Sequence, residues 1–317
     1  MRSTVTIATR GSKLALWQAE HIKGLLQDHY PGLEVRLTII KTSGDKIQDV
    51  PLAKVGGKGL FVKEIEEALL AGQADLAVHS MKDVPAGLPE GLTMGVMPVR
   101  DDPADCLLSK VAGDLESLPR GCRVGTSSLR RRTQVLATRP DVLIEPLRGN
   151  LDTRVRKLEE GRFEAIIVAS VGLKRLGLGG KYASRLEPSK FMPAVGQGAL
   201  GIEHRSDDQE LASVLNFLNH QESATAITAE RSYLHRLEGG CQVPIGGHAT
   251  VEGGRVDLRG FVADTEGKRL IVRNGRDTAA KAAELGRRLA EDILEAGGRE
   301  ILQEVYSAEL NSPGARS

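Results

Sequence analysis

Cys241 lies in the run Leu237-Glu238-Gly239-Gly240-Cys241-Gln242-Val243-Pro244-Ile245-Gly246-Gly247, a thiol framed by two glycine pairs. Glycine has no Cβ, so the backbone beside this sulfur can bend sharply and a bulky group can come close. The setting suits a sulfur that forms a covalent bond. It suits a small buried hydrophobe in a turn as well, because thiol reactivity depends on local charge and exposure. The other cysteines, Cys106 and Cys122, stand far off and no Cys-x-x-Cys pair occurs. Neither a disulfide framework nor a cysteine zinc cluster is indicated, and no metal-ligand spacing is evident.

A second polar group closes an apolar run, Val78-His79-Ser80-Met81-Lys82-Asp83-Val84-Pro85. Lys82 and Asp83 are poor core residues. A carboxylate at a cleft can stabilise a developing cation or relay a proton; an aspartate in a turn can also simply pair with its neighbouring lysine. His79 suits a structural hydrogen bond better than a base. The third group is cationic: Arg130, Arg131 and Arg132 open one helical stretch, Arg148 and Arg154 flank the next turn, Lys174 and Arg175 follow Val171-Gly172-Leu173, and Arg10 precedes Gly11-Ser12. Guanidinium grips carboxylate through paired hydrogen bonds, so converging arginines fit a ligand with many acid groups. Successive helical residues rotate by about 100°. The triplet therefore cannot share one face, and Arg132 is expected to point to solvent.

These groups need elements to aim them. The apolar run 4–9 reads as a buried strand, and Leu14, Trp17, Ile22 and Leu25 follow at helical spacing, with Ser12 as the N-cap. A strand at 34–40, a glycine-rich stretch to residue 60, a helix over 61–70 and a strand over 74–79 continue the alternation, which predicts a parallel, doubly wound sheet. An echo follows: Arg123-Val124-Gly125-Thr126-Ser127-Ser128-Leu129 repeats the strand, hydroxyl and helix order of 7–14, and 160–170 repeats 71–80. Two similar α/β domains are expected, joined by proline- and glycine-marked crossings at 97–103 and 191–198. From about residue 219 the pattern changes to a helix, the Cys241 loop, short strands turned at Glu252-Gly253-Gly254 and Asp264-Thr265-Glu266-Gly267, and one long amphipathic helix from Thr278. The expected division is 1–98 with 198–217, then 99–197 with the hinge segments, then an α+β domain over 218–317. Ligands of open α/β sheets bind outside the carboxyl ends of the strands. There Arg10-Gly11-Ser12, Thr126-Ser127-Ser128 and Gly149-Asn150 offer free backbone N–H groups at helix starts, which attract anions or merely cap helices.

Composition narrows the partner. The 317 residues are 40% hydrophobic and 27% charged, with a formal net charge of +1. That balance is globular. It argues against bulk electrostatic binding of nucleic acid, and 3% aromatics leave few rings for stacking bases. A small anion is the better partner. The strand at 4–9 leaves no room for a secretory leader and no apolar run spans a membrane, so a cytoplasmic protein is expected. A two-domain anion-binding protein of the transport-receptor type would share the architecture, but would need no thiol in a third domain.

The motifs, taken in order, resemble the porphobilinogen deaminase (hydroxymethylbilane synthase) family over nearly the whole chain. They are Ala8-Thr9-Arg10-Gly11-Ser12-Lys13-Leu14-Ala15, Gly56-Gly57-Lys58-Gly59-Leu60-Phe61, His79-Ser80-Met81-Lys82-Asp83-Val84-Pro85, Gly125-Thr126-Ser127-Ser128-Leu129-Arg130-Arg131, Leu147-Arg148-Gly149-Asn150, Gly196-Gln197-Gly198 and Leu237-Glu238-Gly239-Gly240-Cys241. The resemblance implies two doubly wound domains of the type II periplasmic-binding-protein kind around a cleft, with a smaller C-terminal α+β domain. It implies a transferase of tetrapyrrole biosynthesis that joins four porphobilinogen molecules head to tail, releases ammonia at each step and yields hydroxymethylbilane. It also implies a dipyrromethane cofactor held to Cys241 by a thioether, no metal, no nucleic-acid or membrane partner, and a monomer. Asp83 is then the catalytic carboxylate. Ser12, Lys82, Asp83, Thr126, Ser127, Ser128, Arg130, Arg131 and Gly149 would bind the cofactor, and Arg10, Arg148, Arg154, Arg175, Phe61, Lys58 and Gln197 the substrate. The stretch from Thr42 to Gly59, with Lys54 and Lys58, would be a lid. The chain departs from the family's usual pattern at Arg132, at Ser170-Val171 and at Gly247.

Overall fold

The alternation of apolar runs and helical spacing is realised from the first residues onward. A computed structural model describes residues 2–46, 62–85, 87–178, 180–238 and 243–310. In chain order, β1 (Thr4–Thr9), α1 (Lys13–His29) and β2 (Glu34–Ile39) lead to α2 (Ser43–Lys46), α3 (Lys63–Leu70) and β3 (Leu76–Ser80). A 3-10 turn, Met81–Asp83, separates β3 from β4 (Leu92–Val96). Next come β5 (Asp105–Ser109), β6 (Arg123–Gly125), α4 (Leu129–Thr138), β7 (Leu143–Glu145), α5 (Leu151–Glu159), β8 (Ala165–Ala169), α6 (Ser170–Leu176) and β9 (Ala183–Leu186). The chain returns to the first sheet as β10 (Leu200–Arg205), then forms α7 (Gln209–Leu215) and α8 (Gln221–Arg236). It ends in β11 (Ile245–Glu252), β12 (Arg255–Ala263), β13 (Leu270–Thr278), α9 (Ala282–Ile293) and α10 (Arg299–Leu310).

The echo in the sequence is a true structural repeat. The first sheet has the order β2-β1-β3-β10-β4 and the second β7-β6-β8-β5-β9. In each, four strands run the same way and the fourth in order, β10 or β5, is antiparallel to both its neighbours. Ser12 and Ser128 cap α1 and α4 alike, each hydroxyl accepting from the N–H three residues on, a contact worth about 1 kcal/mol per cap. This is the expected doubly wound pair, and its strand order places the carboxyl ends of β1, β3, β6 and β8 around one cleft. The seam between the two units runs from α1 to α5 and α6. Lys13 Nζ lies 3.0 Å from Asp152 Oδ2, and the Arg175 guanidinium carbon lies 5.3 Å from the Trp17 ring.

The third unit is a three-stranded antiparallel sheet, β11-β12-β13, packed on α8, α9 and α10 through Tyr233, Val256, Leu258, Leu285, Leu289 and Ile301. Two expectations change here. The long helix from Thr278 is broken: Gly297 adopts φ 102°, a left-handed conformation no helix interior holds, so α9 and α10 are separate. Arg132 does not end in solvent. Its Nε donates to Thr265 O at 3.0 Å and its Nη2 pairs with Glu266 at 2.8 Å, docking α4 on the β12–β13 turn.

Candidate active site

Three of the expected site residues, Cys241, Lys58 and Phe61, lie outside the described residues, as does the stretch 47–61. The rest can be built from their elements. β3 ends at Ser80 and the 3-10 turn presents Lys82 half-buried and Asp83 exposed, while Met81 is driven inward. The Asp83 carboxylate makes no side-chain hydrogen bond to any described residue. Lys82 Nζ reaches Gln197 Oε1 at 3.4 Å. Gln197 is fully buried; its amide donates to Pro103 O at 2.6 Å and to Asp105 Oδ1 at 2.9 Å.

Asp105 is the residue that sequence reasoning missed. It is fully buried at the start of β5 and joins the arginines of α4. Arg130 Nη1 lies 2.7 Å from Asp105 Oδ2, and Arg131 donates to Asp105 Oδ1 through Nε at 3.1 Å and Nη2 at 2.7 Å. Backbone carbonyls anchor them further: Arg130 Nη1 also donates to Met192 O at 2.6 Å, and Arg131 Nη1 to Ile167 O at 3.1 Å. Burial alone would raise the Asp105 carboxyl, but the two guanidiniums outweigh it and hold it well below the usual carboxylate range. The only signal in the sequence is a charge opening an otherwise apolar strand, Asp105-Cys106-Leu107-Leu108.

Arg154, one turn into α5, donates to Gly149 O at 2.8 Å and shares electrostatic contact with Arg131 and Asp83. Gly149 must be glycine: its φ is 103° and a Cβ there would meet Thr153 at 2.8 Å. Arg148 is half-buried beside it. Desolvation pulls Lys82 down to about 8 against the attraction of Asp83. It also lowers Arg154 to about 10, with repulsion from Arg131 adding to the effect. Lys82, Arg130, Arg131 and Arg154 thus converge on Asp83 and Asp105, cations outnumbering carboxylates in a poorly solvated place.

Other expected site residues are placed differently. Ser12 caps α1, Ser127 donates to Leu147 O at 2.9 Å, and Thr126 Oγ1 accepts from Ser128 N at 3.2 Å. Arg10 is half-buried at the end of β1. Arg175 sits at the crossings, with Nη2 2.9 Å from Asp101 Oδ2 and 3.4 Å from Gly198 O. The crossings are further tied to the third unit: Glu230 accepts from Arg100 Nη1 at 2.6 Å and from the backbone N–H of Gly196 and Ala249, each at 2.7 Å.

Comparison with known proteins decides what this cleft belongs to. The family model described as porphobilinogen deaminase, dipyromethane cofactor binding domain, matches residues 5–213, and that described as porphobilinogen deaminase, C-terminal domain, matches residues 224–295. The chain belongs to the porphobilinogen deaminase family. A porphobilinogen deaminase of Nitratidesulfovibrio vulgaris strain Hildenborough is 58% identical over 306 residues, covering 96% of this chain and 97% of the relative. One of Maridesulfovibrio salexigens is 58% identical over 302 residues, covering 95% and 98%. Among solved structures, a YaeC-family lipoprotein of Enterococcus faecalis is similar over 68% of this chain and 90% of its own at 16% identity, with a TM-score of 0.42; the fold described above rests on strand order instead.

As a member of the porphobilinogen deaminase family the chain is a transferase of tetrapyrrole biosynthesis that condenses porphobilinogen and carries a dipyrromethane cofactor. The residues present fit that group. A pair of pyrroles bearing acid side chains would set its carboxylates among the side chains of Lys82, Arg130, Arg131 and Arg154. No group of His, Cys, Asp and Glu among the described residues is arranged to hold a metal.

Proposed function

We propose that the cleft holds a polyanionic pyrrole chain by its acid groups while Asp83 meets the pyrrole nitrogens. The supporting observation is that Lys82 and Arg154, both half-buried, share electrostatic contact with Arg131 and with the exposed Asp83. Cys241 is the point of thioether attachment. Lys82, Arg130, Arg131 and Gly149, with Ser12, Thr126, Ser127 and Ser128 at the helix starts, bind the cofactor; Arg10, Arg148, Arg154, Arg175, Phe61, Lys58 and Gln197 meet the growing chain. When bound, the dipyrromethane supplies the free pyrrole α-carbon that acts as primer nucleophile.

The chain's own residues do the rest. The protonated aminomethyl group of porphobilinogen leaves as ammonia, the nitrogen taking the C–N electron pair, and its positive charge passes to the pyrrole. Asp83, preorganised on its 3-10 turn, stabilises that charge and orients the pyrrole N–H. Arginines stay protonated near neutrality and so hold carboxylates as fixed cations. Asp105 pins Arg130 and Arg131, so their orientation is set before a ligand arrives. The division proposed for the chain is 1–98 with 198–217, 99–197 and 218–317, and the return of β10 to the first sheet supports it. The reading as a cytoplasmic monomer follows the family, and a formal net charge of +1 supports the reading without nucleic-acid partners; no helix among the described residues is long and apolar enough to cross a membrane.

Intact-protein mass spectrometry tests the assignment. The wild-type protein should carry excess mass equal to two linked pyrroles, and Cys241→Ser should lack it. An unmodified wild-type protein that still forms bilane would refute the attachment.

A further inference from the structure

The turn carrying Lys82 and Asp83 is gripped from every side. Gln18 Nε2 on α1 donates to Ser80 Oγ at 2.8 Å, His79 Nε2 lies 2.8 Å from Glu203 Oε2 on β10, and Met81 N donates to Ala199 O at 3.0 Å. After the turn a side chain from the third unit takes over. Arg231 Nη1 donates to Val84 O at 3.3 Å and Nη2 to Pro85 O at 2.7 Å. These are the two carbonyls immediately following Asp83. One helical turn earlier on the same face of α8, Ile227 is 1% exposed and packs with Met81 and Val84.

Arg231 is a half-buried guanidinium in a mostly apolar contact. Burial lowers its pKa and the charge of Glu203 opposes that shift. Glu203 is itself 1% exposed, and its charge raises the carboxyl of Glu66 on α3, already raised by burial. Charges are costly in such a place unless they hold something. A planar fork spanning two successive carbonyls fixes the direction of the peptide between them, which a lysine point charge cannot do. Moreover α8 ends at Arg236, a few residues before Cys241.

We propose that Arg231 is a positioning residue for Asp83: by holding the carbonyls of Val84 and Pro85, it fixes where the Asp83 carboxylate points relative to α8, the helix that ends a few residues before Cys241 in the sequence. The proposal rests on the role given to Asp83 above. It assigns to the third unit a part in the chemistry of the cleft, beyond attachment of the cofactor.

The test is a set of variants of the full, cofactor-loaded enzyme, with kcat, KM, intact mass and melting temperature measured for each. Arg231→Ala should lower kcat by about tenfold to a hundredfold, the scale of a misplacement near 1 Å. KM should stay within about twofold, with the cofactor mass retained. Millimolar guanidinium should restore part of the lost rate. In a double-mutant cycle with Asp83→Glu, whose carboxylate is already displaced, the added loss from Arg231→Ala should shrink. Arg231→Lys carries the same comparison should the alanine variant fail to fold. Unchanged kcat, a loss that merely follows cofactor mass or unfolding, or full additivity with Asp83→Glu would overturn the proposal. Near-normal turnover in Asp83→Ala would instead overturn the role of Asp83 itself.

Discussion

The two doubly wound units build the same edge with different charges. After β1, Ser12 caps α1 and is followed by Leu14 and Ala15; after β6, Ser128 caps α4 and is followed by Arg130 and Arg131. The strand lying antiparallel beside the central one begins with Leu200 in the first unit, opposite Ser80, and with Asp105 in the second, opposite Ala169. The first unit therefore meets the cleft with Arg10 at the end of β1 and with one exposed turn, Lys82-Asp83. The second buries a closed ion-pair cluster. A repeated scaffold has divided its labour: one copy presents a reacting carboxylate, the other a prearranged cationic wall.

Three changes break or sharpen that comparison. The largest effect should come from Asp83→Ala, which removes the carboxylate opposite the developing charge; turnover should fall by about a hundredfold to a thousandfold, the cost of deleting a preorganised electrostatic group, with the melting temperature hardly changed. A rate assay beside a thermal scan decides it. Next, Asp105→Leu gives the second unit the residue of the first. It strands two buried guanidiniums, so unfolding free energy should drop by roughly 3–5 kcal/mol, read by denaturant unfolding; an unaltered midpoint would mean the two edges do not differ in kind. The smallest effect concerns pH in cofactor-free protein. Folding lowers Lys82 from 10.5 to about 8, so the unfolded chain binds more protons between those values and stability should rise with pH across that window. Lys82→Met should melt higher than wild type near pH 7, and the gap should close toward pH 10. Asp105 gives a slope of the same sign in a different window: its folded pKa is also depressed, so its contribution is present above the ordinary aspartate range and is lost as acid protonates it.

Much of this was legible before any coordinates. Strand, cap and helix at 4–29 and 123–138 follow from apolar spacing and the hydroxyls Ser12 and Ser128, because caps and periodicity are local. The motif residues of the second unit and of the 3-10 turn do converge, as Lys82, Arg131 and Arg154 show. What stayed hidden is tertiary. Nothing near Asp105 in sequence announces Arg130, Arg131 or Gln197, and nothing near Asp83 announces Arg231, which comes from another unit. Arg132 fails for the same reason. Its neighbours on α4 are readable from rotation about the helix, whereas the β12–β13 turn it docks against is more than a hundred residues away. Gly297 shows a local signal outweighed by amphipathic spacing on both sides of it.

The seam at α1 and α6 gives the molecule a means of reporting on itself. Trp17 is the only tryptophan in the chain, and the cation above its ring is Arg175, whose other contacts, Asp101 and Gly198, lie on the two crossings between the units. Indole emission responds to a charge placed over the ring. A motion that draws α1 away from α6 would lift that charge off the ring, which His21 also stacks against at 5.0 Å, so ultraviolet fluorescence from the unlabelled protein should report on this seam.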